Sequence, residues 1–323
     1  MTVLDDERAF NFLARLARLQ FRRGGHAARC GLSRGRWRRA DEAAVGIHQE
    51  LSGALDVLPE LSVLLRRQVH GIEALAEVLE PSIQMAEGYP IEQAQADKKA
   101  HIAAKLYLRP GQKVLDIGCG WGGFALYLNK VYDCEVLGVA LAPDQIAFCK
   151  ERAKAEGVDD KVKFALMDYR DVEGEFDRIS SVGLLEHVGT AHYPEFFKHT
   201  SKLLKPDGVM FSHCCGRAGP PGHTDAWTRK YIFPGGYIPA ASEMLAAVER
   251  SGLELADLEV WRLHYAETLA EWHRRFSTMA LDDARFTRIW RFYLQASEAS
   301  FRHGDLVVFQ AQLLRDRRRL PLT

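Results

Sequence analysis

The stretch Lys113-Val-Leu-Asp-Ile-Gly-Cys-Gly-Trp-Gly-Gly-Phe124 leaves this chain few folds to choose from. An apolar, β-branched run, interrupted only by Asp116, enters a turn with glycine at four of the six positions 118–123. A helical pattern follows from Phe124 to Val131. A buried strand, a tight turn and a helix in this order open a parallel sheet covered on both faces. The glycines let backbone NH groups approach a ligand without an intervening Cβ. The helix amino end adds partly positive groups suited to a carboxylate or phosphate. Asp116 stands at the carboxyl end of the strand, beside the crevice where such sheets bind ligands.

The spacing is Gly118-x-Gly120-x-Gly122-Gly123 rather than G-x-G-x-x-G, with an acid two positions before the first glycine. That form suits a nucleoside joined to an amino acid, such as S-adenosylmethionine, better than a pyrophosphate. The other strand ends agree. After the second strand comes Ala140-Leu-Ala-Pro-Asp-Gln145, with alanine where NAD enzymes place a ribose-binding acid. After the third, Asp168-Tyr169-Arg170 offers a carboxylate for an adenine amino group and a ring to pack on the base. Glu186 and His187 follow the fourth strand, which ends at Val182. Ser212-His213 closes the fifth, and His213 converging with Glu186 is a candidate for proton handling.

Strand and helix patterns alternate along residues 135–140, 143–156, 161–167, 176–182, 193–204 and 208–213. Short loops between them imply a parallel α/β sheet. The helix before the glycine-rich strand runs over 91–108. Residues 214–241 are rich in glycine, proline and aromatics, and so long an irregular stretch reads as an inserted lid. A helix near 242–251, a strand near 253–260, helices near 266–279 and 284–301, and a strand from Leu306 to Ala311 follow. With the last strand antiparallel, the fold is a Rossmann-like seven-stranded class I methyltransferase sheet. It occupies residues 91–323, behind a helical and basic amino-terminal region, 1–90.

The chain's formal net charge of zero conceals an asymmetry. Residues 1–40 carry ten arginines against three acids, +7, and the remainder carries −7. A basic arm of this kind points to an anionic partner, a membrane surface or nucleic acid. No base-binding motif accompanies it, so nucleic acid ranks last. No apolar run reaches the length of a membrane span, and the six cysteines have no metal-ligand or disulfide spacing. The expectation is a cytoplasmic enzyme with reduced thiols, peripheral to the inner face of the membrane.

From about Ile91 to Arg315 the chain resembles the cyclopropane fatty acid synthase family, which includes the mycolic acid cyclopropane synthases. The likeness rests on Val114-Leu-Asp-Ile-Gly-Cys-Gly-Trp-Gly-Gly123, Asp168-Tyr-Arg-Asp171 and Phe176-Asp-Arg-Ile179 leading to Glu186-His-Val-Gly189. It extends through Lys230-Tyr-Ile-Phe-Pro-Gly-Gly236, His264-Tyr-Ala-Glu-Thr-Leu269 and Phe301-Arg-His-Gly304. The resemblance implies S-adenosylmethionine contacts at Val114, Leu115, Asp116, Ile117, Gly118, Cys119, Gly120, Trp121 and Gly122. Further contacts are implied at Ala140, Leu141, Gln145, Asp168, Tyr169, Arg170 and Val182. It implies a bicarbonate ion, acting as general base, held by Glu186, His213 and Tyr265. It implies as substrate a cis double bond in an unsaturated phospholipid acyl chain, which receives the methyl and closes to a cyclopropane. The chain also departs from the family. The upstream Tyr-Ser-Cys-Ala-Tyr motif that closes over the cofactor is absent from Ser82–Pro90, and Ala140-Leu-Ala142 replaces Thr-Leu-Ser. Ser297 stands where some members have cysteine. Methyl transfer without ring closure, and a catalytically impaired lipid- or cofactor-binding paralogue, are the alternative readings.

Overall fold

In the computed structural model, which describes residues 90–279 and 283–319, seven strands form one mixed sheet. Helix α1 (Ile91–Lys105) precedes β1 (Lys113–Ile117), and α2 (Gly123–Tyr132), β2 (Glu135–Ala140), α3 (Pro143–Ala155) and β3 (Val162–Leu166) follow. Next come β4 (Phe176–Val182), the single turn α4 (Leu185–Val188), α5 (Tyr193–Leu203) and β5 (Leu204–Arg217). The chain continues through α6 (Ala226–Tyr231), α7 (Ala241–Glu249), β6 (Glu254–Trp261), α8 (His264–Ser277), α9 (Ala284–His303) and β7 (Leu306–Leu314). The strand order is β3-β2-β1-β4-β5-β7-β6, and β7 runs antiparallel to both neighbours. β1 pairs with β2 on one side and β4 on the other, so the order reverses there and the crevice opens at its carboxyl end.

Both faces of the sheet are covered, which is why its central strands read as continuous apolar runs. On one face, Val114, Phe164 and Phe211 pack with Ile102 of α1, Leu106 just past it, Leu128 of α2 and Ile146 of α3. On the other, Leu115, Ile179 and Met210 pack with Phe196 and Phe197 of α5 and Met244 of α7. A third cluster joins α8 and α9 through Leu269, Trp272, Phe276 and Leu294, with Ile91 and Ala94 of α1 and Val308 of β7 against it.

The expected elements are present, a short helix (α6) lies within the expected lid, and several bounds shift. Helix α1 stops at Lys105 instead of 108, where the chain turns through Tyr107 at φ 49°. β3 is one residue shorter at each end than 161–167. β5 runs to Arg217, so the irregular stretch begins at 218 rather than 214. The cause is β7. Residues 214–217 lie beyond the end of β4 but pair with Phe309, Val308, Val307 and Leu306. Gly216, which looked like a loop residue, is a close-approach position: a Cβ there would lie 2.1 Å from the Phe309 ring. The basic arm, the helices expected over 41–80 and the segment Ser82–Tyr89 lie outside the described residues.

Candidate active site

The glycine-rich turn is fixed from below and open above. Gly118, Gly120 and Gly122 have φ of 78°, 52° and 79°. The NH groups of Gly118 and Cys119 both donate to the Val139 carbonyl, at 2.9 and 3.2 Å, and Gly122 NH donates to the Cys119 carbonyl at 2.9 Å. A Cβ on Gly122 would lie 2.8 Å from the Phe164 ring, whereas one on Gly120 would meet nothing within 4 Å. Asp116 is buried below the turn, and the Ser180 hydroxyl donates to it at 2.6 Å. Trp121 meets Phe148 edge-on at 5.4 Å.

The remaining predicted contacts divide. Ile117 and Cys119 are buried, and Val114 and Leu115 pack into opposite faces of the core. Ala140, Gln145 and Val182 are half-buried, and Leu141 is 41% exposed. Asp168 caps the turn that follows it, accepting from Arg170 NH and Nε at 2.9 Å each and from its terminal nitrogen at 2.5 Å. Tyr169 meets Phe196 edge-on at 5.2 Å, and burial raises its phenol to about 12.

Leu184, just past β4, packs against Gly118, and α4 then places Glu186. The Cys215 NH donates to its Oε1 at 2.6 Å, and Tyr237 NH donates to its carbonyl at 2.9 Å. The other carboxylate oxygen, Oε2, is buried with no hydrogen-bond partner. Burial raises the acid to about 7, against the opposing pull of the Cys215 NH. Tyr265, at the start of α8, is buried against Phe301 at 4.8 Å and Trp272 at 6.0 Å. Burial holds its phenol well above the ordinary range, and Cys215, Tyr293 and Glu186 add to the effect. The Tyr293 phenol is also pushed up, by burial and by Cys215, with Ser297 beside it. Phe233 links this group to His187, meeting Tyr293 and His187 at 5.7 Å each.

His213 is not at a strand tip. β5 continues four residues past it, although Gly183 NH donates to its carbonyl at 2.9 Å, level with the end of β4. The imidazole is 2% exposed, and its Nδ1 has no hydrogen-bond partner. Burial, with the charge of Lys98 on α1, lowers it to about 3, so it is neutral. Gln310 lies opposite on β7 with both amide atoms buried and unpartnered. Among the described residues no hydrogen bond joins His213 to Glu186 or Tyr265. Sequence reasoning missed Cys215, Lys98, Tyr293 and Gln310. Cys215, two positions from His213 on one strand, was the legible one, because alternate residues share a face.

The mycolic acid cyclopropane synthetase family model matches residues 85–311. The cyclopropane-fatty-acyl-phospholipid synthase of Escherichia coli (strain K12) is 36% identical over 250 residues, covering 74% of this chain and 64% of that protein. A probable fatty acid methyltransferase of Pseudomonas putida is 37% identical over 233 residues, covering 68% and 59%. The tuberculostearic acid methyltransferase of Mycobacterium tuberculosis is 34% identical over 221 residues, covering 65% and 51%. The chain thus spans about half to two-thirds of the length of the curated relatives it matches. A solved cyclopropane synthase from Mycobacterium tuberculosis superposes with a TM-score of 0.68 at 26% identity, covering 72% of this chain and 88% of that one. A mycolic acid cyclopropane synthase solved with SAH and CTAB gives 0.68 at 25% identity, with the same coverage.

Proposed function

Since this chain belongs to the mycolic acid cyclopropane synthetase family, we propose that it is an S-adenosylmethionine-dependent transferase. Its acceptor is the cis double bond of an unsaturated phospholipid acyl chain, and its product a cyclopropane ring. The cofactor fits the site. The turn at Gly118–Gly122 has an open position at Gly120, and Asp116 lies beneath it, held by the Ser180 hydroxyl. When bound, S-adenosylmethionine supplies an electrophilic sulfonium methyl. Bicarbonate also finds suitable partners in the buried, unpartnered Glu186 Oε2 and His213 Nδ1, and when bound would supply a base.

The observation that carries the reading is the Glu186 carboxylate. One oxygen is tied to the Cys215 NH, the other is free, and burial among aromatic side chains raises the acid to about 7. Near neutrality such a group exchanges a proton readily, and its anionic form faces developing positive charge in a low-dielectric site. The Tyr265, Tyr293 and Phe233 rings favour cationic character nearby and exclude the water that would capture it. Glu186 and Tyr265 hold the proton-handling end, and the glycine-rich turn orients the methyl donor.

Incubation with methyl-labelled cofactor and an unsaturated phospholipid tests this. One methylene is expected per modified chain, with the upfield proton signals of a cyclopropane. Cofactor binding without acyl product across a range of lipids overturns the reading. The second reading, methylation without ring closure, has its own support: fatty acid methyltransferases are among the relatives. A methyl or methylene branch with one carbon–carbon double bond retained, in place of cyclopropane signals, would establish it. The impaired-paralogue reading is excluded by turnover on any lipid. We place the protein at the cytoplasmic membrane surface, consistent with the absence, among the described residues, of a helix long and apolar enough to cross a membrane.

A further inference from the structure

Helices α8 and α9 treat their arginines in opposite ways. On α8, Arg274 and Arg275 are both paired with Glu271, and Arg275 also reaches Glu92. At the end of α9, Arg302 bridges Glu267 and Glu298. The first half of α9 carries Arg285, Arg288 and Arg291, all exposed, and no acid occurs from Ala284 to Ser297. Among the described residues none of these three arginines has a carboxylate partner. They recur every third position and so lie along one stripe of the helix. Arg285 and Arg288 also sit near the helix amino terminus, where the peptide dipoles disfavour positive charge. The Asp283 carboxylate caps that terminus, accepting from the Arg285 and Phe286 backbone NH groups, and bonds none of the three guanidinium groups.

Aromatic rings lie among these cations. Phe292 is 53% exposed and meets Trp227 of α6 at 4.5 Å. Tyr231 lies 5.7 Å from Trp227, and Lys230 stands over its ring at 4.9 Å. Arg229, on the same short helix, is exposed and also lacks a carboxylate partner among the described residues. An acidic protein would be met by the charges alone. A large exposed aromatic between long, snorkelling cations matches the headgroup level of a bilayer, where apolar rings and cationic tips are both accommodated. The patch also borders the site. Tyr293, next in sequence to Phe292, turns inward to the Glu186 group, and Phe233, just past α6, packs on it at 5.7 Å.

We propose that the α6–α9 face docks this protein on an anionic phospholipid surface, so that acyl chains enter between the two segments that wall the site. This rests on the acyl-lipid reading of the site, and it assigns membrane contact to the folded domain and not only to the basic amino-terminal arm.

The test uses the full chain and vesicles of phosphatidylcholine with and without about one-third phosphatidylglycerol. Wild type is expected to sediment with the anionic vesicles and to be released by high salt, since surface charges act within a Debye length. The double variant Arg288→Gln/Arg291→Gln is expected to bind them about tenfold or more weakly at an unchanged melting temperature, and Phe292→Ser about threefold more weakly. Arg274→Gln, at a paired position, is the control and stays as wild type. Binding of the double variant at wild-type strength overturns the proposal. So does failure of wild type to bind anionic vesicles while an acidic carrier protein is retained. Turnover on unsaturated lipid dispersed in neutral detergent separates this from the proposed activity. There the double variant is expected to match wild type. Vesicle binding without product from either protein leaves the docking face standing and defeats the reaction.

Discussion

The two ends of the crevice are built differently. At the glycine-rich end Ser180 donates to Asp116 Oδ1, and Arg170 holds both oxygens of Asp168. At the Glu186 end, Glu186 Oε2, His213 Nδ1 and the Gln310 amide are buried without partners. Buried polar atoms are nearly always satisfied, and each exception costs stability. The first end is therefore preorganised to bind, and the second keeps polar atoms in reserve for what enters. Binding and chemistry are thereby separable by mutation.

The largest effect is expected at the unsatisfied end. Glu186→Gln keeps the shape and the Cys215 contact but removes the exchangeable proton, and should lower kcat about 10²- to 10⁴-fold. Cofactor affinity, measured by calorimetry, should change by less than about threefold, because the carboxylate is not part of the glycine-rich turn. A large loss of affinity with kcat preserved would reverse the roles of the two ends.

At the satisfied end two glycines should part company. Gly122→Ala puts a Cβ 2.8 Å from Phe164 at a φ of 79° and should cost about 2–4 kcal/mol in urea unfolding. Gly120→Ala has open space and a φ of 52°, so about 1 kcal/mol is expected. Its new methyl points into the space assigned to the cofactor, so the main loss should be affinity. An alanine at 120 that left affinity intact would move the cofactor elsewhere.

The pH dependence separates two groups within the unsatisfied end. Glu186 is raised from 4.5 to about 7, so between those values the folded state keeps a proton the unfolded chain has lost, and stability falls as pH rises. His213 is lowered from 6.5 to about 3, so the unfolded chain takes the proton first, and stability falls as pH drops below 6.5. Between pH 4.5 and 6.5 the two slopes oppose, each worth up to about 3 kcal/mol across those two units. Glu186→Gln should leave stability rising with pH in that window, and His213→Asn should leave it falling. Urea midpoints at pH 5, 5.5 and 6 measure both. Parallel curves for the two variants and wild type would mean that neither group is held as described.

Legibility from sequence followed the same division. The glycine-rich end was readable because its determinants are local: an acid, a turn and a helix start lie within a dozen residues. The sheet followed from alternation, and the antiparallel β7 from the helices before it. The length of β5 did not, because Cys214-Cys215-Gly216 reads as a break until Phe309 is seen against Gly216. Lys98 was not legible either: a lysine on a helix reads as solvated, and only tertiary packing puts it at 4% exposure beside His213. The group around Glu186 draws on α4, β5, α8 and α9, whose proximity no local pattern encodes.

Asp168 carries the smallest prediction and the most direct check on preorganisation. The sequence placed it as an acceptor for an adenine amino group, whereas in the structure its oxygens are engaged by Arg170, two residues on. Asp168→Asn retains an oxygen for the Arg170 NH and weakens a partly exposed ion pair, which should cost about 0.5–1 kcal/mol. If the pair is a finished part of the pocket wall, cofactor affinity should fall no more than about threefold, and Arg170→Met should behave alike. If Asp168 instead leaves Arg170 to meet the ligand, the two variants diverge. Asparagine then weakens binding by tenfold or more, while Arg170→Met, which frees the carboxylate, strengthens it. That outcome would place a rearrangement at the glycine-rich end, and the contrast between the two ends would narrow to the Glu186 group alone.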